Sequence, residues 1–425
     1  MRRSLGVALI LLLSACRGGS NLPATIPVTP EVVIPPAVAV VAPDSGAPAA
    51  PAARRAVIAA DWPLGHRVSP VTGEHAMVVT SHQLASDVGV DVLRRGGNAV
   101  DAAVAVAFAL AVVHPVAGNI GGGGFMVVRM RDGPVGALDF RETAPTGARR
   151  DMYVDTAGNA TASSLTGQRS AGVPGSIAGM FEAHRKFGRL TWKELLTPAI
   201  DLARDGYVLD GPRSRVIERE AERLGRFPAS RARFLVDGAA PAPGTRFVQP
   251  ELARTLQLIA DSGAAVFYTG SIAHLIVREM ARGRGLITPQ DLAHYVPKWR
   301  DPIEIHYRGY TIYTMPPPSG GGVTLAEILN VMEGYAPLPP FGSAELMHLQ
   351  TEAMRRAYTD RNALLGDPDF VQMPLERLLS KQYAGSLRAE IDPRRATPPA
   401  TVSGGRSEGT ETTHFSIVDS EGSAV

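Results

Sequence analysis

The sequence predicts a globular fold of mixed helices and strands, of either the α/β or the α+β class. Apolar residues recur at helical spacing in some segments and alternate in others, and the two kinds of segment follow one another without a regular βαβ order. The chain has 425 residues, of which 45% are hydrophobic and 20% are charged. That length and composition are sufficient to bury a large core and to form two or three domains.

The composition argues against several classes of function. A net charge of +2 gives no reason to expect a nucleic-acid partner. Cys16 is the single cysteine, so neither an intrachain disulfide nor a thiolate metal site is expected. The histidines lack the HxH, HxxxH and HExxH spacings that are typical of zinc sites. We therefore predict no metal and no cofactor.

The first sixteen residues predict a lipoprotein signal peptide. Arg2 and Arg3 precede the apolar run Leu5–Leu13, and the sequence Leu-Ser-Ala-Cys then ends at Cys16. This pattern predicts a lipidated Cys16 on a protein that faces the periplasm in a bacterial cell envelope. The alternative is ordinary secretion to the periplasm with an incidental cysteine. The apolar run is too short for a transmembrane helix.

Residues 17–60 predict an extended tether between the lipid anchor and the globular region. The stretch Asn21–Ala53 is rich in proline, alanine and valine, has almost no charge and shows no helical or strand period. A globular domain on a lipid anchor needs such a spacer to stand away from the membrane. A disordered tail without a role is the alternative interpretation.

The globular region is expected to begin near Asp61 and to lead into a buried helix. Alternation in HAMVVT predicts a strand at His75–Thr80, and Ser81 is expected to cap a helix that ends at Arg95. The next run, Asp101–Val113, is almost wholly apolar and rich in alanine. Such a run predicts a helix that is buried on every side.

The remaining elements are predicted by the same two periodicities and by turn residues. A tight glycine loop is expected at Gly121–Gly124, and a short strand should start at Phe415 and end in a turn at Asp419–Gly422. Between them we predict strands at Phe125–Met130 and Gly136–Phe140 joined at Asp132-Gly133, helices at Ser176–Phe187, Thr191–Asp205, Gln249–Ser262, Ser271–Arg282, Leu325–Glu333 and Ser343–Leu365, and a strand pair at Glu304–Met315 around Arg308-Gly309.

Five motifs in chain order identify a family resemblance. They are GGNAVDAAVA at Gly96–Ala105, GNIGGGGFM at Gly118–Met126, DFRETAP at Asp139–Pro145, MPPPSGGG at Met315–Gly322 and TTHFSIVD at Thr412–Asp419. Together they closely resemble the γ-glutamyltransferase (glutathione hydrolase) family of N-terminal nucleophile hydrolases, from about Glu74 to the last residue. LARDGY at Leu202–Tyr207 and GDPDF at Gly366–Phe370 match this family too.

The resemblance implies an α+β fold of the N-terminal nucleophile hydrolase type, a four-layer αββα sandwich. It also implies that residues 61–411 form the large subunit region and that residues 412–425 begin the small subunit. Most of the small subunit would then be missing, so the sandwich is expected to be incomplete. We therefore expect a fragment or a truncated gene product that is inactive by itself.

Thr412 is the predicted nucleophile, although two adjacent threonines in a strand are common without any catalytic role. The residues place Thr412 and Thr413 where a polar loop, Ser403–Glu411, meets a strand. The resemblance selects Thr412 over Thr413 and implies self-cleavage between Glu411 and Thr412. The released α-amine, which titrates near about 7.7–8.0 in model compounds, would act as the base. His414 is therefore expected to be structural.

Arg141 is the predicted substrate-binding residue. Its guanidinium offers the planar, bidentate partner that a carboxylate prefers. The alternative from the residues alone is a structural arginine that pairs with Asp139 or Glu142. The resemblance places the family's carboxylate-binding arginine in this motif, which implies that Arg141 holds the α-carboxylate of a γ-glutamyl substrate.

Three other motifs are given structural interpretations. No GK[ST] follows Gly121–Gly124, so we predict a close backbone approach near the active site and not a phosphate loop. Met315–Gly322 is either a rigid turn or a loop that lines the pocket. Asp367 and Asp369 are expected in a turn before a strand. In the family the oxyanion donors belong to the small subunit, so none is assigned.

The resemblance implies a self-processing γ-glutamyl hydrolase/transferase. Its substrates would be glutathione and other small γ-glutamyl molecules, its acceptors water, amino acids or peptides, and its protein partner its own small subunit. A related acylase, acting on a β-lactam side chain or on poly-γ-glutamate, is one alternative. A non-catalytic, truncated lipoprotein is the other.

Overall fold

A computed structural model describes residues 71–398 and 412–425 of the protein. The predicted signal peptide and tether, together with Cys16 and Glu411, lie outside the described residues. Within the described ranges, no helix is both long enough and apolar enough to cross a membrane.

The described residues form an α+β fold, which confirms the predicted class. The strands are β1 Met77–Val79, β2 Phe125–Arg129, β3 Val135–Asp139, β4 Tyr207–Val208, β5 Arg246–Phe247, β6 Lys298–Arg300, β7 Ile303–Tyr307, β8 Tyr310–Thr314 and β9 Ser416–Val418. The helices are α1 Gln83–Arg94, α2 Ala99–Val113, α3 Ser176–Phe187, α4 Trp192–Asp205, α5 Gly211–Gly225, α6 Pro228–Phe234, α7 Pro250–Ser262, α8 Ala265–Tyr268, α9 Ser271–Arg282, α10 Pro289–Ala293, α11 Gly320–Glu333, α12 Ala344–Leu364, α13 Leu375–Leu378 and α14 Lys381–Ala389.

The main sheet joins the two ends of the described chain. Strand β1 pairs antiparallel with β9, and β3 lies between β2 and β6 with antiparallel pairing on both sides. Ala424 connects these two groups of strands because it forms bridges to Val418 on one side and to Arg129 on the other. The strand that follows Thr412 and the strand that leads into Arg141 therefore belong to one hydrogen-bonded sheet.

The core is built around helix α2, as its apolar sequence predicted. Nearly all of its residues are buried, and it packs against α1, α3, α4 and β9. Phe108 of this helix meets the Trp192 ring edge to face, with the ring centroids 5.5 Å apart. Such an aromatic pair contributes about 0.5–1.5 kcal/mol beyond the apolar area it buries.

Helices α11 to α14 and the β7–β8 hairpin form two smaller apolar clusters. Glu327 of α11 is fully buried there, and neither of its carboxylate oxygens has a well-aligned hydrogen-bond partner within the described residues. Burial, followed by the nearby Asp360 carboxylate, raises the pKa of Glu327 to about 9. Both effects disfavour the charged form, so Glu327 is protonated at neutral pH.

Most predicted elements are confirmed, and the differences have local causes. Helix α1 is capped by His82 and not by Ser81, because the His82 imidazole accepts a hydrogen bond from the Leu84 N–H. Helix α11 begins at Gly320, ahead of the predicted Leu325, because Ser319 caps it. The turn at Asp367 and Asp369 was expected to precede a strand, but the next element after it is the short helix α13.

Candidate active site

Thr412 lies in the short extended segment that leads into β9. The ladder between β1 and β9 runs from Met77–Val418 to Val79–Ser416, so Thr412 precedes it by a few residues. The Thr412 side chain is exposed, and its hydroxyl makes no hydrogen bond within the part of the chain that the structure describes. An exposed, unbonded hydroxyl a few residues before a paired strand is accessible to a reacting carbonyl.

Asp419 fixes the other end of this strand. Its carboxylate is buried and accepts hydrogen bonds from the Ala99 N–H at 3.0 Å and from the Ser423 N–H at 2.9 Å. Ala99 is the first residue of α2, whose N-terminal N–H groups have no partner inside the helix. The GGNAVD motif therefore presents a helix N-terminus to the strand that follows the predicted nucleophile.

The N-terminus of α2 is also capped by side chains of its own segment. Asn98 caps it and Asp101 accepts from the Asn98 N–H at 2.9 Å, which completes a capping box. Asp101 also accepts from the Arg189 N–H, and the Arg189 guanidinium pairs with Glu421 in the turn after β9. The turn is thus held by an ion pair as well as by Asp419.

Thr413, the rival nucleophile, already has a hydrogen-bond partner. Its hydroxyl lies 2.6 Å from the Ser81 hydroxyl, and the two share a hydrogen bond. Ser81 was predicted as a helix cap, and its position opposite Thr413 could not be found from sequence patterns. His414 is exposed and lies 3.1 Å from the Ser416 hydroxyl, which is a contact within its own segment.

Arg141 follows β3, and its guanidinium has no carboxylate partner within the described residues. The structural alternative required pairing with Asp139 or Glu142. Asp139 instead accepts from the Arg300 side chain at 2.9 Å, and Arg141 lies 5.8 Å from the Phe125 ring centroid. The Arg141 side chain is exposed and available to bind an anionic group.

The backbone of Arg141 is held although its side chain is free. Its N–H donates to Asp139 at 3.0 Å, and its carbonyl accepts from the Tyr295 hydroxyl at 2.8 Å.

Arg300, the partner of Asp139, also approaches Asp369 at 3.4 Å, so the GDPDF turn connects to the same ion-pair network. Lys298 and Arg300 hold the pKa of Asp369 below its ordinary value.

The glycine loop makes the close backbone approach that was predicted, and the backbone it approaches is the Arg141 segment. A Cβ atom on Gly123 would lie 2.5 Å from the Phe140 carbonyl oxygen and 2.7 Å from the Glu142 nitrogen. A Cβ atom on Gly175 would lie 2.0 Å from that same carbonyl oxygen. Any side chain at either position would push the Arg141 segment out of place.

The described residues contain no group of three or more His, Cys, Asp or Glu side chains that could hold a metal. The Met315–Gly322 motif is a turn whose glycines start helix α11.

A separate, largely apolar cavity of about 490 Å³ lies beside His114, Tyr207 and Arg213 and includes neither Thr412 nor Arg141. Burial lowers the pKa of both His82 and His114, so both are neutral at pH 7.

Comparison with known proteins gives consistent matches over this region. The sequence profile described as Gamma-glutamyltranspeptidase matches residues 85–425. The glutathione hydrolase proenzyme of Pseudomonas sp. (strain A14) is 48% identical over 363 residues, which are 84% of this chain and 63% of that protein. The chain thus spans about 63% of the length of this curated relative.

Two further likenesses extend the comparison. The Acylase ACY 1 proenzyme of Pseudomonas sp. (strain V22) is 40% identical over 365 residues, which are 84% of this chain and 65% of that protein. The crystal structure of Helicobacter pylori gamma-glutamyltranspeptidase superposes with a TM-score of 0.76 at 43% identity. It covers 80% of this chain and 100% of the solved chain.

Proposed function

Because the chain belongs to the gamma-glutamyltranspeptidase family, as its motifs indicated, we propose that the full-length protein is a self-processing γ-glutamyl hydrolase/transferase. Glutathione and related γ-glutamyl compounds are its substrates, and water, amino acids or peptides are its acceptors. The observation that carries the proposal is that the exposed Thr412 precedes β9 and the exposed Arg141 follows β3, two strands of one hydrogen-bonded sheet.

The proposed self-cleavage uses the Thr412 hydroxyl as its own nucleophile. The hydroxyl oxygen attacks the Glu411 carbonyl carbon, the carbon–nitrogen bond breaks, and the proton passes to the Thr412 nitrogen. The resulting ester is hydrolysed by water, which leaves a carboxylate on Glu411 and a free α-amine on Thr412. Developing negative charge on the carbonyl oxygen requires hydrogen-bond donors, and these are not assigned to described residues.

In turnover, the free amine takes the hydroxyl proton while the Thr412 oxygen attacks the γ-glutamyl amide. The amide carbon–nitrogen bond breaks, the amine leaves with a proton, and a γ-glutamyl ester remains on Thr412. Water or an acceptor amine then attacks that ester. The exposed Arg141 guanidinium binds the α-carboxylate of the glutamyl group through two parallel hydrogen bonds.

An acylase is the second candidate, and the likeness to the ACY 1 proenzyme favours it. The two functions share the nucleophile and the self-cleavage but differ in the acyl group. The free Arg141 favours a substrate that carries a carboxylate beside the reacting chain. Comparing kcat/KM for γ-glutamyl anilide with that for a β-lactam side-chain amide distinguishes them.

The test of the proposed function combines mass spectrometry with an activity assay on the full-length protein. We expect two fragments that separate between Glu411 and Thr412, together with hydrolysis of γ-glutamyl anilide. Thr412→Ala should give one unprocessed, inactive polypeptide, and Thr412→Ser should process slowly because a hydroxyl remains. A small fragment that begins at a residue other than Thr412 refutes the assignment.

We also propose that Cys16 is lipidated and that the protein is held at the periplasmic face of a bacterial membrane. The Leu-Ser-Ala-Cys sequence after a short apolar run supports this location. Cys16→Ser should release the protein into the soluble fraction or leave it unprocessed at this site. An unmodified Cys16 thiol on a soluble native protein contradicts the proposal.

A further inference from the structure

Ser81 lies opposite the predicted nucleophile segment. It stands between β1 and α1, and its hydroxyl is 2.6 Å from the Thr413 hydroxyl across a sequence separation of 332 residues. The pairing of β1 with β9 ends at Val79 and Ser416, so Thr412 and Thr413 lie beyond the last paired residues. The Ser81–Thr413 bond extends the connection between the two segments past the end of the ladder.

No other side-chain bond provides this connection in the described part of the chain. His414 bonds to Ser416 within its own segment, and the Thr412 hydroxyl has no partner there. Phe415 packs against the main apolar core. The position of Thr412 thus depends on the hydroxyl pair at the adjacent Thr413 and, further along the chain, on β9.

Ser81 is itself held by groups from another part of the fold. Its carbonyl accepts a hydrogen bond from the Arg213 guanidinium, which also donates to Asp210 at 3.1 Å. Asp210 caps helix α5 by accepting from the Arg213 N–H at 2.8 Å. The Arg213 side chain is only 20% exposed, which restricts its motion. A site residue supported by such contacts keeps its geometry better than one on a free loop.

We propose that Ser81 is a positioning residue that orients the Thr412 nucleophile by holding the hydroxyl of Thr413. The inference rests on the proposed function and adds a residue to it. It gives the two adjacent threonines different tasks: Thr413 is the fixed point, and Thr412 reacts. A displacement of the nucleophile by about 1 Å can reduce the reaction rate by about a hundredfold. Loss of a single hydrogen bond next to the nucleophile should therefore affect the rate more than it affects the stability of the fold.

The first experiment measures self-cleavage and γ-glutamyl anilide hydrolysis in the full-length protein with Ser81→Ala. We expect both the cleavage rate constant and kcat to fall by about tenfold or more, with KM and the melting temperature unchanged. Ser81→Thr keeps a hydroxyl and should restore most of both rates. The matched control is Ser86→Ala on helix α1, whose hydroxyl contacts Thr80 at 2.9 Å and not the nucleophile segment.

The second experiment separates positioning from a general structural role. Thr413→Val removes the partner hydroxyl and should slow both rates to a similar extent. Adding Ser81→Ala to it should then have little further effect, because both changes remove the same bond. Parental rates in Ser81→Ala, or losses that Ser81→Thr does not restore and that accompany a lower melting temperature, overturn the inference. If the parent protein neither cleaves itself nor acts on the anilide, the proposed function fails instead.

Discussion

The Asp419 carboxylate accepts a hydrogen bond from the Ala99 N–H at 3.0 Å, across a sequence separation of 320 residues. The two residues belong to two of the motifs, TTHFSIVD and GGNAVDAAVA. One buried carboxylate thus closes the turn after β9 and satisfies a backbone donor at the start of the most buried helix. The strand of the predicted nucleophile is therefore fixed by the core and not by a surface loop.

Replacing Asp419 should destabilise the protein. The two Asp419 carboxylate oxygens accept hydrogen bonds from backbone N–H groups, including those of Ala99 and Ser423. Asp419→Asn replaces one of these oxygens by an NH2 group, which cannot accept, so at least one buried N–H loses its acceptor. We expect a loss of about 1–3 kcal/mol in the free energy of unfolding, and a larger loss for Asp419→Ala. Denaturant unfolding of the full-length protein measures it, with the exposed Asp132→Asn as the control. An Asp419→Asn protein as stable as the control contradicts this role.

Replacing Arg141 should weaken catalysis and leave the fold intact, because its guanidinium makes no ion pair within the described ranges. Arg141→Ala should lower kcat/KM on γ-glutamyl anilide by an amount equivalent to about 2–4 kcal/mol, and Arg141→Lys should recover only part of this. Self-cleavage should continue. The exposed Arg150→Ala serves as the matched control. Unchanged kinetics in Arg141→Ala exclude it from substrate binding.

A side chain at Gly175 should disturb the Arg141 segment from behind. The added Cβ would lie 2.0 Å from the Phe140 carbonyl oxygen and 2.1 Å from the Tyr295 hydroxyl oxygen. We expect Gly175→Ala to lose about 3 kcal/mol of stability and to raise KM. Gly225→Ala in helix α5, where the Cβ would meet nothing within 4 Å, should be neutral or slightly stabilising. Similar melting temperatures for the two variants contradict the expected crowding.

Glu327 should make the stability of the protein depend on pH. Its pKa is raised from 4.5 to about 9, so the folded state keeps a proton that the unfolded chain releases above about pH 4.5. The stabilisation is complete below the unfolded pKa and is lost as the pH rises toward 9. The free energy of unfolding should therefore fall by roughly 2 kcal/mol between pH 7 and pH 9.

Glu327→Gln removes this titration and should flatten the decline in stability between pH 7 and pH 9. Unfolding in denaturant at both pH values measures the difference. The exposed Glu218→Gln on helix α5 is the control and should follow the parent protein. Equal pH slopes in the parent and in Glu327→Gln would show that Glu327 does not keep its proton.

The sequence predicted the elements that have a strong period, and it missed those that depend on distant contacts. Helices α3 and α9 have the predicted bounds, because their apolar residues recur at helical spacing between clear breakers. Helices α5 and α6 were missed because they are rich in charged residues and few of their positions are apolar. The early start of α11 was hidden by three glycines, which are poor helix formers.

The candidate site was predictable only in part for the same reason. Motifs identified Thr412 and Arg141, and the resemblance supplied their roles. Whether Arg141 is free depends on Arg300, which binds Asp139 across a separation of 161 residues. Likewise, the Thr413 hydroxyl has a hydrogen-bond partner only because Ser81 lies opposite it in the fold. No periodicity or local motif in a single sequence reports such pairs.

The bridges that Ala424 makes have a consequence for the products of the proposed self-cleavage before Thr412. Residues 417–425 bond to β1 on one side and, through the mutual N–H to carbonyl bonds of Ala424 and Arg129, to β2 on the other. The segment is a hairpin in the interior of the sheet, because Val418 bridges Ala424 across the turn, and cutting the peptide bond before Thr412 would leave these sheet contacts intact. The two products should migrate as one particle in gel filtration and separate only in denaturant.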